Sequence, residues 1–293
     1  MIDLHVHSTR SDGTLSPTEL VDYAMKKGLH AFALTDHDSV EGLREAMDHA
    51  KQLRETLPES TAATVPEVIP GIELSTDYKG REVHIVGLFI HPENAEFQAY
   101  LKEFIESRTN RNLKMCEKFR ELGIELTYQE LLDEFPNAII TRAHYARHLT
   151  EMGVVKNNNE AFERFLGDRC PCYVPREKIT PMKGVELIRK AGGFPVFAHP
   201  ILCRFSDAKL EELIIQLKEA GLMGIEAIYS TYSPSEERQI RNLAEKYDLL
   251  ISGGSDFHGA NKPDIDLGTG RGNLYVDDSV LTAIKARLSA ITE

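Results

Sequence analysis

Met1-Ile2-Asp3-Leu4-His5-Val6-His7-Ser8-Thr9-Arg10-Ser11-Asp12-Gly13 opens the chain. Ile2 to Val6 reads as a short apolar strand. Side chains two apart on a strand point to the same face, so His5 and His7 can reach one cation. Asp12 follows in a glycine-containing loop, where an aspartate is also an ordinary turn former.

The pattern outward from this stretch alternates strands and helices. Ser16-Pro17-Thr18-Glu19 has the form of a capping box with proline at the first helical position. Leu20, Val21, Ala24 and Met25 then give a helix one apolar face, which stops near Gly28. Ala31 to Leu34 reads as a second strand, and Ser39 as the cap of a helix carrying Val40, Leu43, Ala46, Met47 and Ala50. Residues 67–72 and 82–89 read as further strands. From about Glu93 to Gly167 the signals are helical: one long amphipathic stretch over 95–122, then shorter helices over 127–135, 141–152 and 159–166. Alternation resumes with helices over 181–191, 207–220, 234–247 and 279–291, and strands over 194–198, 224–228 and 249–252. The flanking halves add up to about six or seven strand–helix units, slightly short of the eight of a full barrel. The expectation is an α/β fold: a parallel sheet or barrel over 1–92 and 170–293, with a small all-helical insertion over 93–169.

Composition bounds the function. With 293 residues, 42% hydrophobic and 27% charged, the chain is globular in character. No apolar run approaches the roughly 20 residues of a bilayer span. Met1 to His5 has neither a basic nor an apolar signal region, so a cytoplasmic protein without a membrane partner is expected. A net charge of −12 disfavours broad binding of duplex DNA, while metals or a few arginines can still draw an anion locally. Cys116, Cys170, Cys172 and Cys203 are too few and too unevenly spaced for a disulfide scaffold. They are expected to be reduced thiols, because no second thiol pair completes a tetrahedral site around Cys170 and Cys172.

Six of the 11 histidines fall at strand ends, often beside carboxylates. Thr35-Asp36-His37-Asp38 closes the second strand and Gly71-Ile72-Glu73 the third; His84 lies early in the fourth. His199 and Pro200 follow the strand over 194–198, and Ser255-Asp256-Phe257-His258 follows the strand over 249–252. Each has a plain alternative: a lone histidine is more often a hydrogen-bonded core residue, and Asp36 could cap the next helix. The joint pattern decides, because strand ends in a parallel barrel converge on one mouth. Mixed nitrogen and oxygen donors suit zinc, manganese or iron, and nine candidate ligands oversupply one ion, so two or three fit better. His30, His49 and His91 read as surface or structural residues. His144 and His148 are four apart but lack the glutamate of a protease H-E-x-x-H site. Gly268-Thr269-Gly270-Arg271-Gly272 lacks the lysine and helix of a P-loop and reads as a turn before a strand over 273–276.

In this order, the opening stretch, Thr35-Asp36-His37-Asp38, Gly71-Ile72-Glu73, the strand with His84, Ala198-His199-Pro200 and Ser255-Asp256-Phe257-His258 strongly resemble the motifs of the PHP (polymerase and histidinol phosphatase) family, with all nine ligand positions filled. The resemblance implies a distorted seven-stranded (β/α) barrel and a centre of two or three divalent ions, manganese foremost, or zinc or iron. It implies that His5, His7 and Asp256 bind one ion, that Glu73 bridges it to a second held by His84 and His199, and that Asp12, His37 and His258 hold a third. Glu73 is the only glutamate among the candidates, and a carboxylate can bridge where an imidazole cannot. Amidohydrolases on similar barrels usually bring a carboxylated lysine to the bridge, where this chain has Glu73.

Ile140-Thr141-Arg142-Ala143-His144-Tyr145-Ala146-Arg147-His148-Leu149 resembles a segment of one PHP subgroup, the nucleoside 3′,5′-bisphosphate phosphatases and related enzymes that trim short RNA from the 5′ end. Many members carry proline where this chain has Ala143, which leaves the backbone before His144 less constrained. Arg142 and His144, with Arg176 at the return to the barrel, are the expected phosphate donors. The expected reaction is hydrolysis of a phosphate ester of a small nucleotide or short RNA end by metal-bound hydroxide. His199 is a candidate proton donor, Asp256 a catalytic ligand, and Asp36 an orienting carboxylate. Histidinol phosphate or a sugar phosphate is the alternative substrate, and a non-catalytic metal-binding regulatory module is the alternative of another class.

Overall fold

A computed structural model describes residues 1–175 and 179–292. In chain order, β1 is Ile2–Val6, α1 Pro17–Lys26, β2 Ala31–Leu34, α2 Leu43–Thr56, α3 Glu59–Ala62, β3 Glu67–Tyr78 and β4 Arg81–Leu88. The helical block holds α4 (Ala95–Glu121), α5 (Tyr128–Glu134), α6 (Arg142–Glu151) and α7 (Asn158–Ala161), which runs into a π-helical turn over Phe162–Leu166. Then come α8 (Pro181–Lys190), β5 (Phe194–Phe197), α9 (Asp207–Glu219), β6 (Gly224–Tyr229), α10 (Pro234–Lys246), β7 (Leu250–Gly254) and α11 (Asp278–Thr292).

The strands form one sheet in sequence order, β1 to β7. Its edges nearly meet: the His7 amide donates to the Phe257 carbonyl at 3.0 Å, and the Asp256 amide to the His5 carbonyl at 2.9 Å. Gly254 makes this approach possible, since a Cβ there would lie 2.5 Å from the backbone nitrogen of His5. The result is a distorted seven-stranded barrel flanked by helices.

One strand departs from the expected parallel alternation. β3 continues to Tyr78 and turns back at once, so β4 pairs antiparallel with both β3 and β5. The turn residues Lys79 and Gly80 have φ of 54° and 80°. Positive φ at both central positions is the geometry of a two-residue hairpin, which can only join antiparallel strands. Reversal puts the start of β4, with His84 opposite Ser75, at the mouth reached by the ends of the other strands.

Two other expectations shift. α2 begins at Leu43 with Gly42 as its cap, and the Ser39 hydroxyl accepts from the Glu41 amide ahead of the helix. The chain ahead of it is tied across the barrel mouth: the Asp38 amide donates to the Glu73 carbonyl at 2.9 Å and the Glu73 amide to the Asp36 carbonyl at 3.2 Å. A helix cannot begin until the chain has left that tether. The strand expected over 273–276 is a single bridge, Val276 to Ile2. The glycines before it form turns, and the Gly268 amide is spent on Asp3 at 2.8 Å.

Three apolar clusters hold the layers. One packs the sheet against α1, α2 and α8–α10. A second joins Ile2 and Leu4 to Leu281 and Ile284 of α11. The third lies within residues 115–172, around Phe119, Leu131, Tyr145 and Phe165. α4 serves two of them: Phe97 and Leu101 pack on the barrel, and Met115 and Phe119 in the helical block. Gly254→Ala is expected to force the β1–β7 closure apart and to cost roughly 1–3 kcal/mol, the usual scale of overpacking, read as a lower urea midpoint with native far-UV circular dichroism.

Candidate active site

The loop after β1 folds back on its own strand. A Cβ on Gly13 would lie 2.3 Å from the His7 carbonyl oxygen, so only glycine fits. Asp36 holds this loop: its carboxylate accepts from the Ser8 amide at 2.8 Å, the Ser8 hydroxyl at 2.6 Å and the Ser11 hydroxyl at 2.6 Å. Fully engaged there, Asp36 positions Asp12 rather than touching the imidazoles. Asp38 plays the same part for β3, accepting from the Ser75 amide and hydroxyl at 2.8 Å each and from Arg108 of α4. Asp3 accepts from the amide and hydroxyl of Ser255, beside Asp256. Asp38, His199 and Asp256 all have positive φ, of 55°, 28° and 57°. Such backbone costs of order 1–3 kcal/mol each and tends to cluster where function needs it.

All nine candidate ligands converge on the mouth. Glu73 is at their centre and fully buried. Its Oε1 lies 2.8 Å from His84 Nδ1 and 3.0 Å from His199 Nε2. Its Oε2 lies 3.2 Å from His5 Nε2, 3.3 Å from His7 Nε2 and 3.0 Å from His37 Nδ1. Asp256 Oδ1 is 3.3 Å from both His7 Nε2 and His258 Nδ1. Asp12 Oδ1 is 3.2 Å from His258 Nε2 and 3.9 Å from His37 Nε2.

The buried groups shift one another's ionisation strongly. Burial opposes ionisation of Glu73, yet His84, His37 and His5 hold its carboxyl well below the usual range. Burial also works against charge on His7, but Asp256 and Glu73 lift it to about 9. His37 goes the other way: burial pushes it down to about 3, against the pull of Glu73 and Asp12. Among the described residues, His5 Nε2, both His7 ring nitrogens, His37 Nδ1, Asp12 Oδ1 and Glu73 Oε2 are buried with no hydrogen-bond partner. A buried polar atom left unpaired costs roughly 1–3 kcal/mol. Several aimed at one region fit cation ligation, and the soft–hard mix of imidazole and carboxylate suits a transition-metal ion. Three compact groups can hold one: His7, Asp12, His37 and His258; His5, His7 and Glu73; and His37, Glu73 and His84. His199 and Asp256 lie just outside these groups, against the Glu73 and His7 atoms already named. No cysteine joins a metal-binding group among the described residues; Cys172 is buried in the apolar core of the helical block.

A cleft of ≈ 250 Å³ opens from the centre, lined by Asp12, His37 and His84 on one side and Arg108, Arg111 and Arg142 on the other. Arg142 reaches it from the first turn of α6, bonded to Glu82 at 3.2 Å and Asp168 at 3.3 Å, with its guanidinium near the rings of Phe162 and Tyr173. His144 does not reach the cleft. Its Nδ1 accepts the Thr141 amide at 2.9 Å as part of a capping box, and its ring packs on Phe135. Burial pushes this imidazole down to about 4. The helix begins so close to Thr141 that residue 144 falls on the inner face, which the sequence segment alone did not disclose. Arg176 lies outside the described residues. Sequence reading also passed over Lys262 and Tyr229, which both bond Asp256 Oδ2, at 2.6 and 2.5 Å. Neither sits in a motif that would have flagged it. Arg108 was hidden in a long amphipathic helix, where an arginine is normally a solvated residue.

Residues 3–168 match the PHP domain family. The chain is 35% identical over 256 residues to a 5′-3′ exoribonuclease of Haemophilus influenzae, covering 87% of this chain and 89% of that protein. It is 34% identical over 268 residues to a 3′,5′-nucleoside bisphosphate phosphatase of Chromobacterium violaceum, covering 91% and 90%. Among solved structures, a Chromobacterium violaceum protein described as an amidohydrolase with bound sulfate superposes with a TM-score of 0.84 at 32% identity, covering 98% of this chain and 96% of that one. The match over most of the chain, on a nearly closed seven-stranded sheet, shows that this protein belongs to the PHP family.

Proposed function

We propose that the nine gathered side chains hold two or three divalent ions, manganese foremost, and that the chain hydrolyses a phosphate ester of a small nucleotide. That substrate is either the 3′-phosphate of a 3′,5′-bisphosphonucleotide or the 5′ end of a short oligoribonucleotide. The observation that carries this reading is the division of labour at Glu73: one oxygen faces His84 and His199, the other His5, His7 and His37. A carboxylate so placed can serve two ions at once. Bound ions supply the Lewis acidity that neutralises phosphoryl oxygens and lowers the pKa of water towards about 7. The relatives named above act on nucleotides or RNA, which supports the substrate class.

The chain's own residues do the rest. His199 Nε2 shares Glu73 Oε1 with His84, which favours its use as a ligand over its use as a proton donor. Lys262 and Tyr229 occupy Asp256 Oδ2, so only Oδ1 is free to face the centre. Arg142, across the cleft, exchanges its carboxylate partners for a second phosphate of the substrate. The cleft volume of ≈ 250 Å³ falls at the low edge of the roughly 300–1,000 Å³ typical of small-molecule sites. With the net charge of −12, this supports a small substrate over duplex DNA. The four free thiols support operation in a reducing, cytoplasmic setting.

The test is phosphate release from a nucleoside 3′,5′-bisphosphate, a 5′-phosphorylated dinucleotide, histidinol phosphate and an aryl phosphate, after chelation and after reconstitution. Chelation is expected to abolish turnover and manganese to restore it, with the nucleotides preferred; release from histidinol phosphate alone overturns the nucleotide assignment. His5→Ala and Asp256→Ala are each expected to lower bound metal, measured by elemental analysis, and to abolish turnover. Arg142→Ala is expected to raise KM for the bisphosphate about 10–100-fold, the scale of a lost charged hydrogen bond; an unchanged KM removes Arg142 from the substrate site. His144→Ala is expected to leave that KM unchanged while costing roughly 1–3 kcal/mol of stability by leaving the Thr141 amide unpaired.

A further inference from the structure

Glu226 is a lone carboxylate in the middle of the otherwise apolar β6, whose six residues are all buried. It is 2% exposed. The β6–β7 register slips just after it, between Glu226 and Ile228, and such a bulge re-aims side chains. Its two oxygens go to two different strands' ends. Oε1 lies 3.0 Å from His5 Nδ1, and Oε2 accepts the His199 backbone amide at 2.8 Å. His199 has a φ of 28°, a backbone conformation that needs a partner to hold it. His5 turns its other nitrogen, Nε2, towards Glu73 and Asp256, at 3.2 and 3.8 Å.

We propose that Glu226 is a positioning residue that sets both the His5 tautomer and the His199 backbone, and so prepares two ligands from non-adjacent strands with one side chain. The proposal rests on the reading of His5 and His199 as metal ligands. A carboxylate is an acceptor on both oxygens, so His5 must place a proton on Nδ1 and leave the Nε2 lone pair free for an ion. The same carboxylate takes the His199 amide without competition. Glutamine has the same shape but only one accepting oxygen. If that oxygen takes the His199 amide, its NH2 group faces His5 Nδ1, and the ring proton moves to Nε2, where it blocks a cation. If the oxygen takes His5 Nδ1–H instead, NH2 meets the His199 amide head-on. Either way one ligand is lost or displaced.

The decisive comparison is wild type against Glu226→Gln, with zinc affinity measured by chelator competition and histidine ring protons followed by ¹⁵N NMR of the zinc-loaded protein. The His5 signals are assigned by their loss in His5→Gln. Wild type is expected to carry the His5 proton on Nδ1 and none on Nε2. Glu226→Gln is expected to bind zinc about 10–100-fold more weakly, the usual effect of removing a ligand's orienting partner. A purely structural role would lower the melting temperature of the metal-free protein and leave affinity and tautomer alone, which overturns the proposal. Equal zinc affinity in the two proteins also overturns it. Failure of wild type to bind zinc or manganese overturns the metal centre itself, a distinct result. If Glu226→Gln does not fold, the wild-type spectrum still decides: a proton on His5 Nε2 in the zinc-loaded protein overturns the proposal.

Discussion

The Glu73 carboxylate, buried among five imidazoles, is the constraint around which the barrel mouth is built. An ionised carboxylate taken out of water is tolerated only where compensating charge surrounds it. Those imidazoles come from β1, from the end of β2, from β4 and from the end of β5, so the compensation can exist only when the sheet has curled nearly shut. Closure, strand order and ligand geometry are therefore one requirement. The strand reversal at β4 meets it from the opposite direction, bringing His84 in from a strand's beginning.

Outside that centre lies a ring of further carboxylates with a shared habit. Asp3, Asp36 and Asp38 each take a backbone amide and a hydroxyl of a serine close in sequence to a candidate ligand: Ser255 beside Asp256, Ser8 beside His7, and Ser75 near Glu73. A carboxylate gripping both groups of one residue leaves its backbone little room to turn. Loops that carry ligands are usually mobile; here they are pinned from the next strand. Lys262 and Tyr229 instead hold the Asp256 side chain itself, both at Oδ2.

How much of this could be read beforehand depends on the range of the interaction. His5 and His7 announce themselves because strand periodicity is local, and His37, His199, Asp256 and His258 because each closely follows the end of a strand; Asp12 lies in the loop beyond β1, and Glu73 looked terminal only because β3 runs on to Tyr78. The capping box at Ser16 is likewise local, and it forms as expected. The hairpin at Lys79-Gly80 carried a legible glycine, but continuing alternation masked it. Ser39 looked like a cap because nothing nearby shows that the chain is tied to β3. His144 looked like a phosphate donor because residue type says nothing about which face of a helix meets the core. Glu226 offered one faint signal, a charge inside an apolar strand, whose meaning depends on two partners 221 and 27 residues away.

α4 is a single helix of 27 residues, Ala95–Glu121, without glycine or proline, rooted in the barrel's apolar core at one end and in that of the helical block at the other. Sharp bends in helices arise almost always at such residues or at bulges. Midway along it, Arg108 is locked to the buried Asp38, and breaking a buried pair of this kind costs about 3–5 kcal/mol. The helix that carries Arg108 and Arg111 into the cleft is thus braced at both ends and in its middle, so the two cations face the ligand cluster from a stiff support.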